Sequence, residues 1–334
     1  MDLNVLWFVL IIVLFTGFFI LEGFDYGVGI LLIGRREYER SLMIRAIGPV
    51  WDGNEVWMIT AGGAMFAAFP HMYATMFSTF YFALFLMLLG LIFRGVAFEL
   101  RGKYPSRDWR LGWDGAIVFG SLIPALLWGV AVTNLLQGLP IDAYMHYAGN
   151  FGDLLSPYTI LGGLTFVFVF IFHGATFLGM KIGDEGLLID IKRSSIKFGV
   201  LGAILYVMLA AMTFVSTDIL DKGFFGVSSF AVGALCFLTG INAMRQGRAK
   251  VAFIFTSMAI ASTVMQFFVA LFPRLMVSSL NPEWSLTIYN AASTPHTLMI
   301  MTGAALVFVP IVLCYQAWTY RLFKERITAS DLKH

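Results

Sequence analysis

Apolar runs of about twenty residues recur from one end of this chain to the other, parted by short polar stretches. Each run is long enough to cross a hydrocarbon layer of about 30 Å as a helix. Nine such helices are expected, over 6–33, 48–69, 73–98, 112–136, 157–180, 196–216, 225–244, 251–272 and 297–322. Only Pro70, His71 and Met72 part the second from the third. The pattern is that of an all-α polytopic membrane protein. The first run is not expected to be a cleaved leader, because 1–6 holds no basic residue and the run is too long. No loop is long enough to fold alone. The longest outer one, 137–156, has neither Lys nor Arg and carries Tyr144 and Tyr147, residue types suited to a membrane interface.

Charge changes this picture by giving it a direction. Arg35, Arg36, Arg40 and Arg45 follow the first helix; Arg101, Lys103, Arg107 and Arg110 follow the third. Lys181, Lys192, Arg193 and Lys197 follow the fifth, Arg245, Arg248 and Lys250 the seventh, and Arg321, Lys324, Arg326 and Lys333 the ninth. The even-numbered loops hold only Lys222 and Arg274. Basic loops mark the cytoplasmic side, so the N-terminus is expected outside and the C-terminus in the cytoplasm.

Composition agrees. Hydrophobic residues make up 59% of the 334 and charged ones 13%, against about 45–50% and 25% in soluble domains. The net charge of +2 gives no reason to expect nucleic acid as a partner. Cys236 and Cys314 stand in separate apolar runs without metal or redox spacing, which excludes a disulfide framework.

Ionisable groups inside spans are expensive and therefore point to function. Glu22 and Asp25 fall in the first helix, Asp52 and Glu55 in the second, Arg94 and Glu99 in the third. Helical rise places Asp25 about 12 Å from the inner end of its helix and brings all six groups into the inner third of the bilayer. Each carboxylate pair is spaced i, i+3 and so shares a helix face. Asp25 and Arg94, at overlapping depth, are the expected ion pair. Such a cluster suits proton passage, a structural clamp between three helices, or a bound cation. The placement of Asp52 and Glu55 also suits the positive end of their helix, which Pro49 opens.

Of the five histidines only His173 lies well inside a span, too few for a set of haem ligands. Glycines at 23, 27 and 29, and again at 62 and 63, offer surfaces for close helix approach. A faint internal echo links Phe93-Arg94-Gly95-Val96-Ala97-Phe98 with Phe172-His173-Gly174-Ala175-Thr176-Phe177.

Three segments carry a resemblance. Glu22-Gly23-Phe24-Asp25-Tyr26-Gly27-Val28-Gly29, the run Trp51-Asp52-Gly53-Asn54-Glu55-Val56-Trp57 continuing through Ala64, and Phe93-Arg94-Gly95-Val96-Ala97-Phe98-Glu99 closely resemble subunit II of cytochrome bd-type quinol oxidases. Val307-Phe308-Val309-Pro310-Ile311-Val312 adds to it, so the likeness runs from the first helix to the last. It implies one integral membrane subunit of nine helices, with a four-helix bundle over about 1–136, a second over 157–272, and a peripheral helix over 297–322. It further implies a multi-pass subunit of the bacterial cytoplasmic membrane that binds no haem. The partner, subunit I, would hold two b-type haems and one d-type haem, and the complex would oxidise quinol and reduce dioxygen to water. A small single-helix accessory subunit, membrane lipid and quinone are further partners of such a complex. By the same resemblance Asp25 and Asp52 match acidic positions of a proton pathway and Arg94 a basic position beside it; Glu22 and Glu55, which share their helix faces, are expected to join that pathway, and Glu99 to be a charge partner with Arg94. A proton-coupled transporter would also want buried carboxylates, but with a substrate site near the midplane. A purely structural assembly subunit is the remaining alternative.

Overall fold

The structure is a computed structural model that describes residues 2–332, apart from the side chains of residues 222, 224–227 and 332. The expected outer-loop charge of Lys222, and Lys333 and His334 of the tail, lie outside the described residues. The chain forms α1 (Leu3–Leu31), α2 (Glu37–Ile47), α3 (Trp51–Ala68), α4 (Pro70–Thr79), α5 (Tyr81–Leu100) and α6 (Arg107–Gln137). It continues with α7 (Pro157–Lys181), α8 (Glu185–Ser216), α9 (Gly223–Arg245), α10 (Ala249–Leu271) and α11 (Pro295–Leu322). A two-stranded antiparallel ribbon, β1 (Arg274–Met276) with β2 (Leu286–Thr287), lies between α10 and α11. Among the described residues α1, α5, α6, α7, α8, α10 and α11 are long and apolar enough to cross a membrane.

Local chemistry sets the helix ends. Asp2 caps α1 by accepting from the Asn4 amide, and Asp184 caps α8 by accepting from that of Leu187. Ser156 precedes Pro157, and the Ser156 and Thr159 side chains accept from each other's backbone amides to open α7. Two departures from the sequence reading follow from short polar stretches that still bury a face. Helix α8 begins at Glu185, about three turns before residue 196, because Leu187, Ile191 and Ser195 are buried at fourfold spacing among charged neighbours. Helix α2 occupies the first basic loop, where Leu42, Met43, Ala46 and Ile47 form a buried face. The expected third helix is broken: the backbone turns at Phe80 (φ −96°, ψ 20°) between α4 and α5. There the Thr79 hydroxyl donates to the Thr75 carbonyl, so the last turn of α4 is closed by a side chain.

Helix α1 is central, packing on α3, α6, α7 and α10. Its seam with α7 requires glycine. A Cβ on Gly27 would overlap the Phe170 carbonyl, and one on Gly174 would stand 2.6 Å from the Val28 nitrogen. Phe24 and Phe177 stack beside it at 4.0 Å.

The loops sort to two ends. At one, Arg35 donates to Ser194 and Arg40 pairs with Asp114 at 2.9 Å. There the Ile327 amide of the tail donates to the Lys181 carbonyl. This is called the basic end below. At the other, Thr75 donates to the Met145 carbonyl, Ser278 to that of Ile141, and the Ser293 amide to that of Ala68. Helix α11 lies against α1 and α3 and buries only Leu298.

Candidate functional site

Near the basic end, α1, α3 and α5 bring three carboxyl groups around one guanidinium. Arg94 and Glu22 are both fully buried and form a short hydrogen-bonded ion pair. Glu55, whose side chain is 18% exposed, has its Oε2 3.6 Å from the same guanidinium nitrogen. The Arg94 Cζ stands 4.8 Å from the centre of the Tyr26 ring, a cation–π contact. Packing aims Arg94 inward: a Cβ on Gly120 of α6 would stand 2.6 Å from that of Arg94, so α6 leaves no room behind it.

Asp25 is buried one turn closer to the basic end than Glu22. It does not form the expected ion pair with Arg94, whose partners are Glu22 and Glu55. Helical rise placed Arg94 at the right level but could not choose between carboxylates three residues apart. Instead Asp25 Oδ2 accepts 2.7 Å from the Asn54 side-chain amide. Asp25 Oδ1, Glu22 Oε2, and Arg94 Nε and Nη1 are buried without a hydrogen-bond partner among the described residues. Asp52 stands exposed one turn before Glu55 and makes no hydrogen bond or ion pair among the described residues. Glu99 is exposed at the end of α5 and likewise pairs with nothing described. It follows Arg94 by five residues, about 140° round the helix, so the two cannot share a face.

The sequence reading missed what lies between α3 and α11. Tyr320 donates 2.7 Å to Asn54 Oδ1, Gln316 donates 3.2 Å to the same oxygen, and Trp57 donates 3.2 Å to Gln316 Oε1. An amide between two carboxylates in Asp52-Gly53-Asn54-Glu55 was the available signal for Asn54. Nothing in the sequence pointed to Tyr320, because pairing across 266 positions leaves no local pattern.

A cavity of about 680 Å³ opens at the basic end between α2, the start of α3 and the end of α5, with Glu37, Trp51, Glu99 and Arg101 in its wall. Around it Arg101 and Arg40 share Asp114, at 2.5 and 2.9 Å, and Arg110 pairs with Glu37 at 2.5 Å. The Arg110 hydrogen bond holds the Glu37 carboxyl below the usual glutamate range.

His173 is buried with both ring nitrogens engaged, Nδ1 with the Thr256 hydroxyl at 2.7 Å and Nε2 with the Ile20 carbonyl at 3.0 Å. It stacks on Phe253 at 4.7 Å. Neither nitrogen is left to ligate a haem iron. No group of three His, Cys, Asp or Glu among the described residues is placed to hold a metal ion.

Comparison with known proteins adds a lineage to this geometry. Residues 3–323 match the family described as cytochrome bd terminal oxidase subunit II. Cytochrome bd ubiquinol oxidase subunit 2 of Bacillus subtilis (strain 168) is 40% identical over 336 residues, spanning 99% of this chain and 98% of that one. Cytochrome bd-I ubiquinol oxidase subunit 2 of Escherichia coli (strain K12) is 38% identical over 366 residues, spanning 99% and 97%. Among solved structures, a chain of the bd oxidase from Geobacillus thermodenitrificans shares the fold with a TM-score of 0.72 and 19% identity, covering 97% of this chain and 99% of that one.

Proposed function

Since the chain belongs to the subunit II family of cytochrome bd terminal oxidases, we propose that it serves such an oxidase as a haem-free subunit supplying a proton-uptake route. The family places it in an oxidoreductase complex of the respiratory chain, as a multi-pass subunit of the bacterial cytoplasmic membrane with subunit I as its partner. That membership sets aside the transporter reading.

The basic end faces the cytoplasm in this reading, because positively charged loops stay on that side. Helices α3 and α9 join the seven apolar ones to make nine spans, with the N-terminus outside. The first bundle covers about 1–136, the second 157–272, and α11 is peripheral. The haems, two of b type and one of d type, belong to subunit I, which meets the quinol. The engagement of both His173 nitrogens supports a chain without haem.

Reduction of dioxygen to water consumes protons, and haem chemistry surrounded by lipid cannot draw them directly from bulk water. A graded series of carboxyl groups meets that demand. Asp52 is exposed, Glu55 partly so, and Glu22 and Asp25 are buried. Three carboxyl groups around one guanidinium can be arranged with a proton on any of several oxygens. The observation that carries the reading is the series itself: Glu22 and Glu55 meet one buried guanidinium, with Asp25 one turn along α1 and the exposed Asp52 one turn before Glu55.

The test is the purified oxidase carrying Asp25→Asn or Asp52→Asn. Each variant should assemble with its normal haem content and consume oxygen about 10²-fold more slowly. Full quinol oxidase activity in both variants contradicts the proton route. Loss of the assembled complex would favour a purely structural cluster instead.

A further inference from the structure

Helix α11 buries a single residue, yet it is tied to the interior through polar groups close to the acidic cluster. Tyr320 and Gln316 both donate to Asn54 Oδ1, at 2.7 and 3.2 Å. With its oxygen so occupied, the Asn54 amide can turn only its nitrogen towards α1, where it donates 2.7 Å to Asp25 Oδ2 and reaches the Leu21 carbonyl at 3.5 Å. Asn54 is fully buried, so no solvent competes for either end of the amide.

We propose that Tyr320, acting through Asn54, is a positioning residue that holds Asp25 with one carboxyl oxygen engaged and the other directed to accept the proton. This rests on the reading of Asp25 as a proton carrier and extends it to a helix that otherwise looks peripheral. Without the Tyr320 hydroxyl, Asn54 keeps only the longer bond from Gln316. Its amide is then free to rotate and present oxygen to the carboxyl, an arrangement that leaves the ionised carboxylate without a donor and suits only the protonated acid. The groups facing Asp25 are Glu22 and Tyr26 of its own helix, Asn54 and Glu55 of α3, Arg94 of α5, and Tyr320 of α11. Of these, only the Asn54 amide bonds it.

The experiment uses the whole oxidase. Tyr320→Phe removes the hydroxyl and keeps the ring, and Asn54→Leu removes the amide at similar volume. Both should lower the maximal rate of oxygen consumption about tenfold, the effect of one hydrogen bond on a transfer step. The quinol KM should stay unchanged and the pH profile of the maximal rate should be displaced. Adding Tyr320→Phe to Asp25→Asn should slow turnover no further. Thr319→Val, whose hydroxyl bonds only the Tyr315 carbonyl within α11, should behave as wild type. An unaltered rate and pH profile in Tyr320→Phe, or additive slowing in the double variant, would overturn the proposal. If Tyr320→Phe does not assemble, a wild-type pH profile in Asn54→Leu overturns it equally. An unaffected Asp25→Asn enzyme would instead bring down the underlying proton reading, so the two failures are told apart.

Discussion

Two stretches of similar sequence, Phe93-Arg94-Gly95 on α5 and Phe172-His173-Gly174 on α7, each send a buried polar side chain against α1, and the two sites are built in opposite ways. His173 meets the Ile20 carbonyl with one nitrogen and Thr256 with the other, stacks on Phe253, and has no unmet hydrogen-bonding group. Two residues along α1, Arg94 meets Glu22 and stands 3.6 Å from Glu55 and 4.8 Å from the Tyr26 ring, so two carboxyl groups share one guanidinium. Burial of a polar group costs free energy unless its bonds are made. A closed set like that of His173 is what stability alone would select. A set like that of Arg94, with two carboxyl groups on one guanidinium, can hold a proton in more than one place. In the proposed reading the difference separates a structural site from a proton-carrying one on the same helix, which burial by itself does not tell apart.

The comparison can be broken most severely at Arg94. Arg94→Met leaves Glu22 buried without a counter-charge, and about 3–5 kcal/mol of stability should be lost, enough to abolish the assembled oxidase. A normal yield and Tm in detergent for that variant would mean that the cluster is held otherwise. On the other side, Thr256→Val leaves one His173 nitrogen unbonded. About 1–2 kcal/mol should be lost, seen as a lower Tm, with oxygen consumption unchanged. A slowed turnover in Thr256→Val would erase the distinction between the two sites. The smallest effect belongs to the rim of the cavity, where Glu37 and Arg110 pair in solvent. Glu37→Gln should cost less than about 1 kcal/mol. The sign follows from the lowered Glu37 carboxyl. Its contribution is complete above the ordinary glutamate value of about 4.3 and disappears as the pH falls through the lower folded value. The Tm difference between wild type and Glu37→Gln should therefore shrink on acidification below about pH 4.3.

How much of this was legible beforehand differs by element. Long apolar runs announced most of the helices, because a lipid-facing helix must be apolar along its whole length. The same criterion passed over α2 and the first three turns of α8, whose buried faces are narrow and whose other faces are charged. The break at Phe80 left no mark either, since a bend within an apolar run changes no residue type. In the site, the spacing of Glu22, Asp25, Asp52 and Glu55 and the level of Arg94 could be read from helical rise. The identity of the pairs could not, because a choice between Glu22 and Asp25 depends on side-chain reach and on Asn54 already holding the second. Glu99 lies near Arg94 in sequence, yet the helical turn sends it to a different face.

The contrast between the two sites reduces to one measurement: proton uptake during a single turnover of the reduced oxidase with oxygen, followed with a pH indicator, for Asp25→Asn beside Thr256→Val. Uptake should be slowed about 10²-fold in Asp25→Asn, with haem content intact, and should keep wild-type kinetics in Thr256→Val. Wild-type uptake in an assembled Asp25→Asn oxidase would contradict it.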